Sequence, residues 1–180
     1  MTRVKKLRYR SKLGDMPSYD VVESEWMVKV NANECGMNLP PMVEDRVMGR
    51  LSRVAFNRYP NEDLEQLMES IADNYGLQKE NVLIGNGSSE IIEKLFFAFG
   101  GRNLTVVYPQ PSFSMYHIYA KAAEARSVVV DLNKEDYSLN VREFIQKVND
   151  SKASLAVVCN PNNPTGNALP LEDIENIAQH

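Results

Sequence analysis

The sequence predicts an α/β fold in three layers, a mostly parallel sheet flanked by helices. Two observations predict it. From about residue 61 onward, short apolar runs alternate with segments whose apolar residues recur at helical spacing. The runs around Val106, Val129 and Val157 are continuously apolar, the pattern of parallel strands covered on both faces.

The elements follow in order. Val43–Val54 reads as a helix set before the alternation begins. Asp63–Tyr75 is a helix, with Leu64, Leu67, Met68, Ile71 and Tyr75 at helical spacing, and Gly76 ends it. Val82–Ile84 reads as a short strand. Ser88–Phe99 is a helix with Ile91, Ile92, Leu95, Phe96 and Phe99 on its apolar side. Leu104–Tyr108 is a strand, Phe113–Ala125 a helix and Ser127–Leu132 a strand. Val141–Val148 is a helix, Leu155–Cys159 a strand and Pro170–Ala178 a helix. Residues 1–60 are expected to form an N-terminal arm and a segment of a small domain. Residues 61–180 would form the first part of a larger sheet domain, because the last helix has no strand to return to.

Composition excludes several classes. The 180 residues are 43% hydrophobic and 24% charged, ordinary for a soluble globular chain. No apolar run approaches the roughly 20 residues that span a bilayer. The opening MTRVKKLRYRSK is basic but lacks the apolar core of a signal peptide, so a cytoplasmic protein is expected. Net charge is −4; the first twelve residues carry six basic groups and no acid, leaving the rest at −10. An acidic body without a basic face argues against nucleic acid. Two Cys and two His are too few for a zinc site, and Cys35 and Cys159 read as reduced thiols.

In open α/β sheets ligands bind beyond the carboxyl ends of the strands. Three loops lie at such ends. In NVLIGNGSSE, glycines precede Ser88 and Ser89 at a helix start, where free N–H groups and the helix dipole favour an anion such as phosphate. A tight turn with a serine N-cap accounts for the same residues. No Lys-Ser/Thr follows the glycines, so this is not a P-loop, and Glu90 occupies the third glycine position of a dinucleotide fingerprint. In VVYPQPSFSMY, two prolines hold the chain extended before Phe113, an aromatic that can stack on a flat ring or simply pack in the core. In CNPNNPTG, Asn162 and Asn163 precede a turn. They serve the turn itself, or a side-chain amide donates to a ligand's phenolic oxygen. The three loops together fit a flat, phosphorylated, hydroxylated aromatic ligand, a description that pyridoxal 5′-phosphate meets.

The ordered set NRYP (57–60), GNGSSE (85–90), YPQPSFSMY (108–116) and CNPNNPTG (159–166) resembles the class I/II aminotransferases of fold type I, and within them the histidinol-phosphate branch. The loop Val30-Asn31-Ala32-Asn33-Glu34 resembles that branch's loop over the active site; Cys35-Gly36 departs from its usual continuation. The resemblance runs from about Trp26 to His180. It implies the large domain of a type I pyridoxal-phosphate transferase, incomplete, with an arm and part of a small domain. It implies that Ser88 and Ser89 hold the cofactor phosphate, Phe113 stacks on the pyridine ring and Asn163 donates to the phenolic oxygen. Tyr59 would reach the phosphate of the other subunit's cofactor, which implies a homodimer, and Asn33 would lie near the substrate. The implied activity is transamination between histidinol phosphate and 2-oxoglutarate in histidine biosynthesis.

The resemblance also implies absences. The family's anchoring lysine, its aspartate at the pyridine nitrogen and its substrate-carboxylate arginine all fall beyond the position matching His180. The 180 residues alone are therefore expected to be inactive. Lys94, in no matching context, reads as a surface residue. Two alternatives remain open from the sequence: a lyase resembling threonine-phosphate decarboxylase, and a non-catalytic chain that binds the cofactor or a partner.

Overall fold

The computed structural model describes residues 28–30, 32–59 and 61–180. The basic arm expected at residues 1–12, Trp26, Asn31 and Pro60 lie outside the described residues. Two compact units divide the rest, one ending at Leu83 and the other running from Ile84 to His180.

In the first unit, helix α1 is Pro41–Leu51. Proline at the first helical position fits, since the missing N–H has no intrahelical partner there. Met42, Val43, Val47, Met48 and Leu51 are all exposed. Helix α2, Asn61–Tyr75, ends where Gly76 turns left-handed at φ +64°. Ala72 is the buried residue of this helix among those described. A single 3-10 turn, Lys79–Asn81, follows, and Lys79 Nζ lies 3.5 Å from Glu65 and 3.6 Å from Glu69 on α2.

The second unit carries the sheet. Its order is helix α3 (Ser88–Phe99), strand β1 (Thr105–Gln110), helix α4 (Met115–Ala122), strand β2 (Arg126–Asp131), helix α5 (Val141–Ser151), strand β3 (Leu155–Ala156) and helix α6 (Leu171–Ala178). The strands are parallel in the order β2-β1-β3. Val107 pairs with Val128 on one side and with Ala156 on the other.

Alternation along β1 explains the three layers. Val106 and Tyr108 face a cluster with Phe96 of α3 and Tyr116 and Ala120 of α4. Val107 faces the opposite cluster with Val130 and Phe144 of α5, against which Ile177 of α6 also packs. Each face of β1 is thus dry, which is why its run is apolar throughout. Asn140 caps α5 by accepting the Glu143 N–H at 3.1 Å. Ladder pairing on β3 covers only Leu155–Ala156, yet Val157 N–H still donates to Val107 O at 2.8 Å. The face alternation also persists through Val158 and Cys159, so the expected run to Cys159 is seen in its packing.

Two expectations are corrected. Val82–Ile84 forms no strand. Val82 has extended dihedrals, but no strand among the described residues offers it a ladder, and extension without pairing is not a strand. The expected apolar face of α3 is only partly used: Ile92 and Phe96 pack onto the sheet, whereas Leu95 and Phe99 are exposed.

Candidate active site at the carboxyl ends of the strands

The first component is the start of α3. Gly87 is the N-cap residue with φ +81°, a left-handed value that favours glycine, and it offers no side-chain cap. Ser88 and Ser89 are the first two helical residues, both exposed. Neither hydroxyl has a hydrogen-bond partner among the described residues, so the serine-cap reading of this loop fails. Two hydroxyls, together with the unpaired N–H groups of a helix's first turn, face open space. Glu90 turns back to accept the Asn86 N–H and is bridged by Lys94 at 2.7 Å. The Lys94 ammonium, then the Asn86 amide, hold its carboxyl below the usual carboxylate range. Lys94 is thus engaged on the helix surface, as its context suggested.

The second component is the loop after β1. Phe113 is half-buried at the strand's carboxyl end. Its ring meets Tyr116 edge-on, centroids 5.5 Å apart and planes at 82°. Tyr116 is itself buried and stacks on Phe96 at 6.3 Å. The core reading of Phe113 holds for the edge that meets Tyr116, and the ring also borders an open cleft with Gln110, Ser114 and His117. Burial, and then Cys159, push the Tyr116 phenol well above its ordinary range.

The third component is the loop after β3, where the asparagines divide. Asn162 is 8% exposed and fully used. Its Nδ2 donates to Pro111 O at 3.0 Å and to Thr165 Oγ1 at 2.9 Å, and its Oδ1 accepts from Ser112 Oγ at 2.7 Å. Its backbone exchanges bonds with Asn167 and Gly166, both at 2.7 Å. Asn160 Oδ1 accepts the Leu169 N–H at 2.7 Å. Asn163 differs: its backbone N–H reaches Cys159 Sγ at 3.4 Å, while its side-chain amide has no partner among the described residues. Its Nδ2 is thus available as a donor to water or to a ligand.

A hydrogen bond joins Ser112 to Asn162, the residues that precede Phe113 and Asn163, and α3 packs on α4 on the same face of the sheet. Ser88, Ser89, Phe113 and Asn163 all belong to the Ile84–His180 unit. Asn33 and Tyr59 belong to the other. Asn33 is exposed and left-handed at φ 54°, beside a Lys29–Glu34 ion pair of 2.8 Å. Tyr59 is 91% exposed. Ser112 and Asn162 escaped sequence reasoning as a pair. Nothing in their one-dimensional separation of 50 residues marks them, and only two prolines stiffening one loop and a turn motif in the other hinted at rigid neighbours.

Comparison with known proteins bears on this arrangement. The family model described as aminotransferase class I and II matches residues 26–180. A histidinol-phosphate aminotransferase of Caldanaerobacter subterraneus subsp. tengcongensis is 38% identical over 170 residues, which is 94% of this chain and 48% of that protein. The chain thus spans about half the length of the curated relatives it matches. Among solved structures, a Thermus thermophilus aspartate aminotransferase mutant superposes with a TM-score of 0.78 at 20% identity, over 96% of this chain and 47% of that one. A histidinol-phosphate aminotransferase from Sinorhizobium meliloti, solved in complex with pyridoxal-5′-phosphate, gives 0.71 at 22% identity, over 83% and 40%. At these identities the structural likeness shows the fold.

Proposed function

The chain belongs to the class I and II aminotransferases, and from that premise we propose that it is the cofactor-binding portion of a pyridoxal-phosphate enzyme that moves an amino group between histidinol phosphate and 2-oxoglutarate in histidine biosynthesis. The observation that carries the reading is the split between Asn162, whose amide is saturated by the Phe113 loop and its own turn, and Asn163, whose side-chain amide has no partner among the described residues. The residues present fit the cofactor. Ser88 and Ser89 offer hydroxyls and helix N–H groups to a phosphate dianion. Phe113, pinned at its edge by Tyr116, offers a flat apolar surface to the ring. Asn163 offers its Nδ2 to a phenolic oxygen and so favours the ionised form.

When bound, the cofactor supplies the aldehyde and the electron-accepting ring on which amino-group exchange depends. These side chains bind and orient. None of them accepts or delivers the substrate's proton. Lys94, engaged by Glu90, is not placed in that role. The 180 residues alone are therefore proposed to bind the cofactor reversibly and to turn over no substrate. Full activity, in this reading, is cytoplasmic and belongs to a homodimer with Tyr59 reaching the phosphate held by the other subunit and Asn33 near the substrate. Residues 1–60 would then serve as arm and small-domain segment, and 61–180 as the first part of the large domain.

The test is equilibrium dialysis of the purified chain against pyridoxal phosphate. Saturable binding at one site, competed by inorganic phosphate and weakened at least tenfold by Asn163→Ala, is expected. Binding that does not saturate, or that ignores Asn163, overturns the reading. Turnover of histidinol phosphate by the chain alone overturns the expected inactivity.

A further inference from the structure

We propose that Asn162 and Ser112 are positioning residues, a latch through which the Phe113 loop and the Asn163 loop are set by each other. The loops come from different strands, 50 residues apart in sequence, and three hydrogen bonds join or brace them at one buried amide. Ser112 Oγ donates to Asn162 Oδ1 at 2.7 Å; Asn162 Nδ2 returns a bond to Pro111 O at 3.0 Å and braces its own loop through Thr165 Oγ1 at 2.9 Å. Ser112 precedes Phe113 and Asn162 precedes Asn163, so each latch residue adjoins a residue assigned to the ligand. A peptide link of one residue transmits a shift of the latch directly to the neighbour's side chain.

A second contact chain runs on the apolar side. Phe113 meets Tyr116, and Cys159 packs against the same cluster, its sulfur accepting the Asn163 N–H at 3.4 Å. The loops are thus coupled on a polar and an apolar flank. The polar flank is the stronger determinant of position, because each bond is directional and the amide is 8% exposed, so breaking one leaves a buried group unsatisfied.

The assignment rests on the cofactor reading for its effect on the ligand, but the coupling itself needs no ligand. The experiment therefore has two arms. In the first, amide hydrogen exchange is measured on the chain without cofactor. Ser112→Ala is expected to speed exchange of the Asn163 amide about fivefold or more, although it lies in the other loop, while the Val107 amide in the core stays as in the parent. Ser112→Thr, which keeps the hydroxyl, restores protection. In the second arm, bound pyridoxal phosphate is titrated by its absorption. Asn162→Ala raises the pH midpoint of phenol ionisation, as Asn163→Ala does, because the misplaced Asn163 no longer donates to the phenolate. Unchanged exchange at Asn163 in Ser112→Ala overturns the latch. Parent protein that fails to bind the cofactor overturns the functional reading alone and leaves the exchange result to decide the latch. A midpoint unmoved by Asn162→Ala but moved by Asn163→Ala overturns the transmission from one asparagine to the next.

Discussion

Glu90 closes the loop that precedes its own helix: one carboxylate oxygen accepts the Asn86 N–H, and the other meets Lys94 Nζ at 2.7 Å. The closure needs Gly85. A Cβ there would lie 2.9 Å from Ile91 Cγ1 and 3.0 Å from Glu90 Oε2. Ile91 is β-branched and cannot swing far within a helix. Gly85→Ala should therefore cost about 1–2 kcal/mol in denaturant unfolding and weaken the phosphate binding proposed for Ser88 and Ser89. A melt indistinguishable from the parent's would mean that the loop yields without loss. The closure is also pH-dependent. The carboxyl is held below its ordinary range, so its stabilisation is present above that range and is lost as pH falls through the lowered value. Thermal melts between pH 6 and 3 should fall more steeply in the parent than in Glu90→Gln.

Ser89→Asp separates the effect of first-turn charge on helix stability from the binding role proposed for Ser89. An acid in the first turn interacts favourably with the helix dipole, so stability should rise by about 0.3–1 kcal/mol. The same charge repels an incoming phosphate, and affinity for pyridoxal phosphate should fall about tenfold or more. Calorimetry for the first effect and dialysis for the second give opposite signs. A variant that is both more stable and equally good at binding removes Ser89 from the site.

Much of this fold is legible in the sequence because it is encoded locally. Gly87 and Ser88 mark the start of α3, and Gly100 follows its end, so the helix is bounded as its punctuation says. Val82–Ile84 is not legible in the same way. It has the right residues, and Val82 has extended dihedrals, but a strand is a relation to another strand, and no local residue encodes the partner. The site shows the same limit. Asn162 and Asn163 are chemically identical and adjacent, and a turn motif gives both the same meaning. What separates them is that Asn162 is buried against the β1 loop while the Asn163 side-chain amide has no partner among the described residues. That distinction is tertiary. The apolar side of α3 teaches the converse, since Leu95 and Phe99 read as core by their spacing and stand exposed.

The two phenylalanine environments can be compared directly. Phe144 is fully buried beneath Val107 and Val130, and Phe144→Ala should destabilise the sheet unit by about 3–5 kcal/mol. Phe97 is 50% exposed, and Phe97→Ser should change stability by less than about 0.5 kcal/mol while raising solubility. Urea titrations of the two variants decide it. A large loss from Phe97→Ser would place that side chain in the core.

Alkaline behaviour should expose the buried phenols. Burial raises the Tyr116 and Tyr108 phenols above their ordinary value of about 10. A group whose folded pKa is raised contributes stability that is complete below the unfolded value and is lost as pH climbs toward the folded one. The parent's denaturation midpoint should therefore fall between pH 10 and 12. Tyr116→Phe keeps the ring against Phe96 and Phe113 but has no proton to lose. Its midpoint should fall less over the same range, though not stay level, because Tyr108 still titrates. At neutral pH the two proteins should start close together, and the parent's curve should drop below the variant's as pH rises. Parallel curves would show that the Tyr116 hydroxyl already reaches water in the folded protein, and that the wall behind Phe113 is wetter than its packing indicates.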